Sequence, residues 1–217
     1  MIKLPETKTF LFDGPAGRLQ ALLDMPRKVE AGAAAVVCHP HPEHGGTLEN
    51  KVVHTLARAF VGKGFAVLRF NFRGVGESEG AFDEGRGETA DALAAVGEMK
   101  ERYRGKPLWL AGFSFGASIA IRAAAEVRAD GLVSVAPAVS RVAGAGGPQP
   151  GCPWLVIQGD EDDLVPAGDT IEWINSLEPG PELEIFPETG HFFHGKLVRL
   201  REAVETFIDE NQKKTGR

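Results

Sequence analysis

Apolar and polar positions alternate along the chain with two different periods, and this pattern predicts a series of strands and helices. The segment Lys8–Pro26 is typical of an antiparallel hairpin around an Asp13-Gly14-Pro15 turn. Short apolar runs predict six further strands, at Ala33–Pro40, Phe65–Gly74, Lys106–Phe113, Gly131–Ala138, Pro153–Asp160 and Glu182–Glu188. Helical periodicity predicts five helices, at about Leu48–Gly64, Glu84–Arg104, Gly116–Val127, Ala167–Leu177 and Lys196–Asn211.

The order of these elements predicts the fold class. A hairpin followed by strand-helix-strand units favours an α/β fold whose mostly parallel sheet is covered by helices on both faces. No repeat, low-complexity tract or long charge block divides the 217 residues, so we expect one domain over residues 1–217. In the long second helix, Ala90, Leu93, Ala94 and Val96 cluster on one side and are the expected buried face.

The composition limits which partners and which cellular compartment we expect for this protein. The chain is 43% hydrophobic and 25% charged, with a formal net charge of -6 and scattered cationic residues, so a nucleic acid is not an expected partner. No apolar stretch reaches the roughly 20 residues that a membrane span needs, and the N-terminus has no apolar signal-peptide core. The two cysteines, Cys38 and Cys152, indicate neither a disulfide framework nor a metal site. We therefore expect a cytoplasmic protein with reduced thiols and no membrane partner.

The stretch LAGFSFGASIA places Ser114 on a turn of almost no length between a predicted strand and a predicted helix. Such a turn brings the serine backbone close to neighbouring residues, which must therefore be small. Here these residues are Gly112, Gly116 and Ala117. The spacing G-x-S-x-G is that of a nucleophile elbow, which holds a serine hydroxyl above the end of a sheet, beside the free N–H groups of a helix N-terminus. The alternative is a glycine-rich turn with an incidental serine.

A serine hydroxyl needs a base, usually a histidine that a carboxylate orients, and both residue types follow later strands. Four acids come directly after the strand WLVIQ: Asp160, Glu161, Asp162 and Asp163. Two histidines, His191 and His194, follow the next strand. The order serine, acid, histidine at successive strand ends indicates nucleophilic catalysis. Each cluster taken alone is also typical of a solvated loop.

With this order of residues the chain resembles the α/β-hydrolase superfamily. In that superfamily the acid loop often has the pattern G-x-x-D-x-x-V-P, which matches Gly159–Pro166 and implies Asp162 as the triad acid. Asp163 is the main rival for this role, and Asp160 is a weaker one. The histidine commonly follows a glycine after the last strand, which implies His191 as the general base.

An oxyanion hole needs backbone N–H donors beside the nucleophile. In the superfamily one donor belongs to the residue after the elbow serine, which implies Phe115, and the second lies in the loop after the third strand. That loop contains Pro40 and Pro42, which have no N–H group. We therefore expect the backbone N–H of His41, between the two prolines, to be the second donor.

The same loop carries three histidines, His39, His41 and His44, which also suit other roles. Histidine is a common metal ligand, but the spacing H-x-H-x-x-H matches no metal motif that we can justify, and Glu43 is the one acid nearby. We expect no metal. A structural alternative is that the ring nitrogens hold the loop in place.

Glycines after the fourth strand raise the question of a dinucleotide-binding turn. Gly74, Gly76 and Gly80 have the spacing G-x-G-x-x-x-G, no helix opens directly after them, and the glutamates between them would repel a pyrophosphate. A similar R-G-x-G-x-S stretch occurs in the hydrolase superfamily, which implies that Arg73–Ser78 is a structural loop near the site. We expect no cofactor.

The chain is similar in particular to small lidless bacterial hydrolases whose third-strand loop reads HPHP…GGT. Larger relatives often insert a helical cap after the sixth strand, but the segment Pro137–Gly151 is too short for one. This implies an open site with a shallow acyl pocket. Phe82, Phe192 and Phe193, together with Phe115, are the apolar candidates for its wall. The alternative is that these rings belong to the core.

The resemblance implies a serine hydrolase that cleaves carboxylic esters or thioesters of small to medium acyl groups through an acyl-enzyme. A dienelactone-hydrolase-like or perhydrolase activity is an alternative, although dienelactone hydrolases usually carry cysteine at the elbow. A non-catalytic binding protein on the same fold is another, but such a protein has no need of the whole serine, acid and histidine set. The expected partner is a small-molecule ester or thioester, and the sequence indicates no oligomeric state.

Overall fold

Eight strands and five helices make up the computed structural model, which describes residues 6–27, 30–142 and 149–214. The strands are β1 (Glu6–Gly14), β2 (Gly17–Met25), β3 (Ala33–Cys38), β4 (Phe65–Phe70), β5 (Leu108–Phe113), β6 (Gly131–Val135), β7 (Trp154–Gly159) and β8 (Glu182–Phe186). The helices are α1 (Lys51–Gly62), α2 (Arg86–Arg102), α3 (Phe115–Glu126), α4 (Ala167–Asn175) and α5 (Leu197–Lys214). Each predicted strand and helix is present, with ends that differ by a few residues.

The strands form one sheet in the order β1-β2-β4-β3-β5-β6-β7-β8. β2 pairs antiparallel with β1 and with β4, whereas all other neighbours are parallel. Parallel neighbours need a crossover connection, and helices supply most of these crossovers here. The sheet therefore has the mostly parallel α/β architecture that the order of elements predicts, and the fold is the single-domain α/β-hydrolase fold that the resemblance implies.

The helices cover both faces of the sheet. Val36 of β3 packs into a core that includes α2, α3 and α4, whereas the next residue, Val37, packs into a core that includes α1 and α5. All residues of β3, β4, β5, β6 and β7 are buried. Burial from both sides is the reason that these strands are nearly continuous apolar runs in the sequence.

The start of α1 differs from the predicted one because a side chain caps it. The Asn50 side chain accepts hydrogen bonds from the N–H groups of Val52 (2.9 Å) and Val53 (3.4 Å). These N–H groups have no partner within the helix, so the cap defines its first turn. The helix therefore begins at Lys51 and not at Leu48.

The buried face of α2 differs from the expected one. The apolar residues buried on this helix are Ala92, Ala95, Val96 and Met99. Leu93 and Ala94 are half-buried and pack against the same core, and Ala90 is half-buried, so the expected face is only part of the buried one. Asp91 takes an inward position, because Arg73 donates hydrogen bonds to it from its guanidinium (2.7 and 3.0 Å) and from its backbone N–H (3.0 Å). The hydrophobic pattern missed this face because it assigns a carboxylate to solvent.

The connection from β6 to β7 is the place where a cap would be inserted. Its described residues contain one regular element, a 3₁₀ turn at Val139–Arg141. The remainder of the predicted short connection includes residues 143–148, which lie outside the described residues. The part of this connection that the structure describes therefore contains no helical cap.

Two further sequence features can be placed in the structure. Within the described ranges, no helix has both the length and the apolar character that crossing a bilayer requires. Cys38 and Cys152 are free, the first buried and the second half-buried. Burial raises the pKa of both thiols, that of Cys152 to about 11. Both cysteines are therefore protonated at neutral pH.

Candidate active site

Ser114 alone forms the turn from β5 to α3. Its backbone has φ 56° and ψ -119°, a combination that costs energy for any residue with a side chain. Hydrogen bonds hold it there: its N–H donates to the carbonyl of Val135 (2.8 Å), and its carbonyl accepts from the N–H groups of Ala117 (3.0 Å) and Ser118 (3.2 Å). A strained residue fixed from both sides is the arrangement expected of a nucleophile elbow.

The elbow fits because two flanking positions lack a side chain. A Cβ atom at Gly112 would collide with the backbone of Gly116 and Ala117. A Cβ atom at Gly116 would collide with the carbonyl groups of Cys38 and His39 at the end of β3. The close approach of β3, β5 and α3 therefore requires glycine at both positions of the G-x-S-x-G spacing.

Three side chains meet at the carboxyl edge of the parallel strands. The hydroxyl oxygen Oγ of Ser114 lies 3.0 Å from Nε2 of His191, whose Nδ1 lies 2.8 Å from Oδ2 of Asp162. His191 and Asp162 are buried, and Ser114 is half-buried. The three residues follow β5, β8 and β7, whose carboxyl ends lie at one edge of the sheet. This is the geometry of a nucleophile, a base and an orienting acid.

The structure separates Asp162 from its rivals. Asp162 is buried against His191, whereas Asp163 is exposed to solvent. Asp160 is also exposed, and its Oδ1 accepts a hydrogen bond from the N–H of Thr189 (3.2 Å). That bond ties the acid loop to the loop that carries the histidine. The structure thus brings Asp162, and neither rival, to the histidine.

Asp162 is held as a carboxylate by its surroundings. Its Oδ1 accepts hydrogen bonds from the N–H groups of Leu164 (2.9 Å) and Val165 (2.7 Å), and its Oδ2 accepts from His191. Burial by itself would raise the pKa of Asp162, but these hydrogen bonds outweigh it and hold the pKa below its usual range. The charged oxygen can therefore orient the Nδ1–H of His191 at neutral pH.

Gln158 is a site residue that the sequence analysis missed. Its buried side-chain Nε2 donates to Oδ2 of Asp162 (3.0 Å) and to the carbonyl of Val165 (2.9 Å). Its Oε1 accepts from the hydroxyl of Thr170 (3.3 Å). The signal that could have found it is a glutamine near the end of an otherwise apolar strand, directly before the acid loop.

The two residues assigned to the oxyanion hole lie side by side. The rings of His41 and Phe115 are 5.0 Å apart between centroids, and the Phe115 ring is buried. Among the described residues, neither backbone N–H has a hydrogen-bond partner, which is what a donor kept for an oxyanion requires. The carbonyl of His41 accepts from the N–H groups of His44 (3.1 Å) and Gly46 (3.0 Å), which closes the loop on itself.

The other loop histidines have their own partners. His39 is fully buried, and its Nδ1 donates to the carbonyl of Pro40 (2.6 Å) while its Nε2 accepts from the N–H of Phe72 (3.0 Å). The ring is therefore neutral, and burial lowers its pKa to about 4. His44 stacks on His41 with centroids 4.4 Å apart. In the part of the chain that the structure describes, no three His, Cys, Asp or Glu side chains are grouped to hold a metal ion.

The phenylalanine candidates fall into two groups. Phe82 is partly buried, with its ring 4.9 Å from that of His41, and Phe192 is 50% exposed, with its ring 5.2 Å from that of His191. Phe193 is fully buried in the core between the sheet and α5. The prediction that Phe193 lines the substrate pocket is therefore wrong. Phe192 and Phe193 face opposite ways, which their adjacency in the sequence could not indicate.

The loop Arg73–Ser78 has a structural role. The Ser78 hydroxyl donates to the carbonyl of Asn71 (2.7 Å) and accepts from the N–H of Gln20 on β2 (2.9 Å). Arg73 forms a buried ion pair with Asp91 of α2. The loop thereby joins the sheet to α2, which agrees with the structural role that the resemblance implies.

Cavity size does not identify the site. A cavity of about 520 Å³ lies between α1 and α5, lined by Lys51, Arg58 and Leu197 among others. Ser114, Asp162 and His191 do not line it, and the one hydroxyl in its lining, that of Thr55, donates to the carbonyl of Lys51 (2.8 Å) and not to a base. The hydrogen-bonded set at the carboxyl edge of the sheet is therefore the better guide to chemistry.

The order of the strands, and the strand ends that carry Ser114, Asp162 and His191, are those of the α/β hydrolases. The chain belongs to this class. Within it, the chain belongs to the family described as serine aminopeptidase, S33, whose model matches residues 30–150. The uncharacterized protein RP471 of Rickettsia prowazekii is 32% identical over 210 residues, which cover 91% of this chain and 87% of the relative.

Two solved structures support the assignment to the α/β hydrolases. An α/β serine hydrolase homologue from Coxiella burnetii is 40% identical with a TM-score of 0.87, and the match covers 92% of this chain and 96% of that one. XC6422 from Xanthomonas campestris, described as an α/β serine hydrolase without a lid, is 39% identical with a TM-score of 0.85 and 94% coverage of both chains.

Proposed function

We propose that the protein is a serine hydrolase that cleaves carboxylic esters or thioesters of small to medium acyl groups through an acyl-enzyme. The observation that carries this proposal is the unbroken series of hydrogen bonds from Ser114 through His191 to Asp162, at 3.0 and 2.8 Å, in a chain of the α/β-hydrolase class. A strained elbow and a buried, charged acid add to it, because a protein that only binds a ligand needs neither.

In the acylation step, Oγ of Ser114 attacks the carbonyl carbon while Nε2 of His191 takes the hydroxyl proton. Asp162 stabilises the imidazolium that forms, and the backbone N–H groups of Phe115 and His41 bind the oxyanion. The tetrahedral intermediate then collapses. The bond to the leaving oxygen or sulfur breaks, and His191 returns the proton to the leaving group.

In the deacylation step, a water molecule replaces the departed alcohol or thiol. His191 takes a proton from this water, which attacks the acyl carbon and forms a second oxyanion in the same place. Collapse releases the acid and returns the proton to Oγ of Ser114. The enzyme is thereby restored without any cofactor in the cycle.

The test is an activity profile of the wild type and of Ser114→Ala. The substrates are p-nitrophenyl esters and acyl-CoA thioesters of graded length, with aminoacyl p-nitroanilides added because the family is described as serine aminopeptidase. A fluorophosphonate probe reports the nucleophile directly. Ser140→Ala is the matched control, since this exposed serine lies on the 3₁₀ turn after β6.

We expect ester or thioester hydrolysis and probe labelling in the wild type and in Ser140→Ala, and neither in Ser114→Ala. Labelling that persists in Ser114→Ala would overturn the assignment of the nucleophile. A wild type that cleaves only the anilides would replace the ester proposal by a peptidase. A wild type that neither reacts with the probe nor hydrolyses any substrate would contradict the hydrolase proposal itself.

A further inference from the structure

Arg141 reaches from the 3₁₀ turn after β6 to both residues that we assign to the oxyanion hole. Its Nη2 donates a hydrogen bond to Nε2 of His41 at 3.1 Å. Its guanidinium carbon lies 5.2 Å from the centre of the ring of Phe115, the residue that follows the nucleophile. The positively charged guanidinium of Arg141 therefore contacts the side chains of both residues. None of the catalytic steps above uses it.

The turn that carries Arg141 is attached to the elbow by hydrogen bonds. The N–H of Ala138 donates to the carbonyl of Ser114 (3.3 Å), and the carbonyl of Ala138 accepts from the hydroxyl of Ser118 (3.0 Å). Arg122 of α3 donates to the carbonyl of Arg141. The backbone of the turn is thus held relative to the nucleophile, and the hydrogen bond to His41 positions the guanidinium, as a specificity-determining group requires.

The charge of Arg141 is only weakly compensated. Within the described residues, the one carboxylate in ion-pair range is that of Glu84, 4.0 Å from Nη1 and with a side chain 71% exposed. A long ion pair at such exposure contributes little. The Arg141 side chain itself is 33% exposed, so a substrate can reach it.

The ring of His41 is a neutral hydrogen-bond partner and does not compensate the charge of Arg141. Burial, followed by the nearby charges of Arg141 and His44, lowers the pKa of His41, and Glu43 and Glu84 oppose this less strongly. The ring is therefore neutral at neutral pH, and its Nε2 can accept from the guanidinium. An arginine has five N–H donors in a planar fork, so most of them stay available for a second acceptor.

We infer that Arg141 selects ester substrates that carry a carboxylate, which takes the place of the Glu84 side chain on the guanidinium. This inference rests on the proposed function, because it names the substrate class of the same site. The carboxylate belongs to either the acyl part or the leaving group, and arginine binds both in the same bidentate way. Arg141 then determines specificity and takes no part in bond breaking.

Two pairs of esters test this inference, each matching a carboxylate with an isopropyl group of similar shape. For the acyl side, p-nitrophenyl hydrogen glutarate is compared with p-nitrophenyl isoheptanoate, after subtraction of spontaneous hydrolysis. For the leaving-group side, p-acetoxyphenylacetate is compared with p-isobutylphenyl acetate. The readout is the ratio of kcat/KM for the charged ester to kcat/KM for its neutral partner.

In the wild type we expect this ratio to exceed one for at least one pair and to fall as salt is added, because ions screen an exposed charge pair. Arg141→Gln should lower the ratio roughly 10- to 100-fold, the range that a charge-assisted hydrogen bond supplies. Glu84→Gln should raise it, since the competing carboxylate is gone. The matched control is Arg199→Gln, because Arg199 also lies over a phenylalanine ring, that of Phe186, and pairs with Glu184.

Equal ratios in the wild type and in Arg141→Gln for both pairs would overturn the inference, provided that the variant still reacts with the fluorophosphonate probe. If Arg141→Gln does not fold, the salt dependence of the wild type and the opposite shift in Glu84→Gln decide the question. A fall of the ratio in Arg199→Gln as large as in Arg141→Gln would also overturn it, as a general charge effect. Failure of the proposed function looks different, because then neither an ester of either pair nor an acyl-CoA thioester is hydrolysed, whereas cleavage of thioesters alone would overturn this inference and not the proposed function.

Discussion

At the scale of single residues, burial and hydrogen bonding distinguish side chains that are chemically identical and adjacent in the sequence. Asp162 and Asp163 are neighbours, yet one is buried with three hydrogen-bonded donors besides His191 and the other is in solvent. The buried carboxylate alone can hold the imidazole of His191 in the tautomer that leaves Nε2 free to accept a proton.

Asp162→Asn should therefore cost far more activity than Asp163→Asn. Loss of the orienting carboxylate lowers kcat by about 10⁴-fold in a well-studied serine protease, and we expect a loss of that order for Asp162→Asn. Asp163→Asn should retain nearly full activity, since an exposed side chain is replaced by one of the same shape. Steady-state kinetics on one ester, with circular dichroism as the folding control, check both. The reverse ranking would assign the acid role to Asp163.

His41 allows its backbone and its ring to be tested separately. His41→Ala keeps the N–H, so we expect kcat to fall less than about tenfold through the loss of the ring alone. His41→Pro removes the donor, and loss of one such donor lowers kcat about 10²- to 10³-fold in other enzymes. Proline suits the position because the φ of His41 is -51°.

The comparison of the two His41 variants needs equal folding, which thermal melting of both proteins checks. Similar losses in the two variants would argue against a backbone donor at this position. A metal held by the loop histidines predicts a third pattern, in which a chelator inactivates the wild type and added zinc restores it.

At the scale of elements, the loop after β3 is held by His39. This ring bridges the carbonyl of Pro40 and the N–H of Phe72, so it fixes the loop that bears His41 to the end of β4. The bond from Phe72 needs the neutral ring, because Nε2 is its acceptor, whereas the bond to Pro40 needs only the Nδ1–H. Protonation of His39 would therefore loosen an element of the proposed oxyanion hole.

Stability should consequently depend on pH through His39. Its pKa is about 4 in the folded protein against an ordinary 6.5, so the unfolded chain binds the proton first as the pH falls. The contribution of His39 to the free energy of unfolding should be constant above about pH 6.5. This contribution should decrease between about pH 6.5 and pH 4, and the total decrease in the free energy of unfolding should be about 3 kcal/mol.

Urea unfolding from neutral pH to about pH 4.5 measures this dependence. His39→Gln should be less stable at neutral pH but should lose less stability on acidification than the wild type does. His194→Gln, at an exposed histidine, is the matched control and should follow the wild type. Parallel curves for His39→Gln and the wild type would show that His39 is not the titrating group.

At the scale of the whole molecule, the parallel sheet brings loops from distant parts of the chain to one edge. Ser114, Asp162 and His191 converge because the carboxyl ends of β5, β7 and β8 all lie there. The connection from β6 to β7 contributes Arg141 at the same edge, and its described residues form no helical cap over the site.

The absence of a helical cap from the described residues of that connection leads to a kinetic prediction. Hydrolysis of a sparingly soluble ester should follow ordinary saturation through its solubility limit, because the described residues include no cap helix that would have to move from the serine. Rates measured with and without a micellar interface check this, with a lidded lipase as the positive control. A sharp rise in rate at the interface would show that a segment covers the site.

Much of this molecule could be predicted from sequence because local patterns determine it. Periodicity predicted the eight strands and five α-helices of the described residues, since each of these elements buries its apolar positions at its own repeat. The elbow was predictable because the G-x-S-x-G spacing is a local steric requirement around Ser114. That the loops after these strands would meet was predictable because the carboxyl ends of parallel strands share one edge, whereas the choice of Asp162 and His191 came from the resemblance to the α/β hydrolases.

The tertiary structure decided what depends on contacts between distant segments. It placed Phe193 in the core and Phe192 at the surface, and it turned Asp91 inward because Arg73 was there to pair with it. Only the fold brings Arg141 to His41, 100 residues earlier in the chain. Such pairs leave no periodic trace in the sequence, because a hydrogen bond depends on two side chains whose separation along the chain is arbitrary.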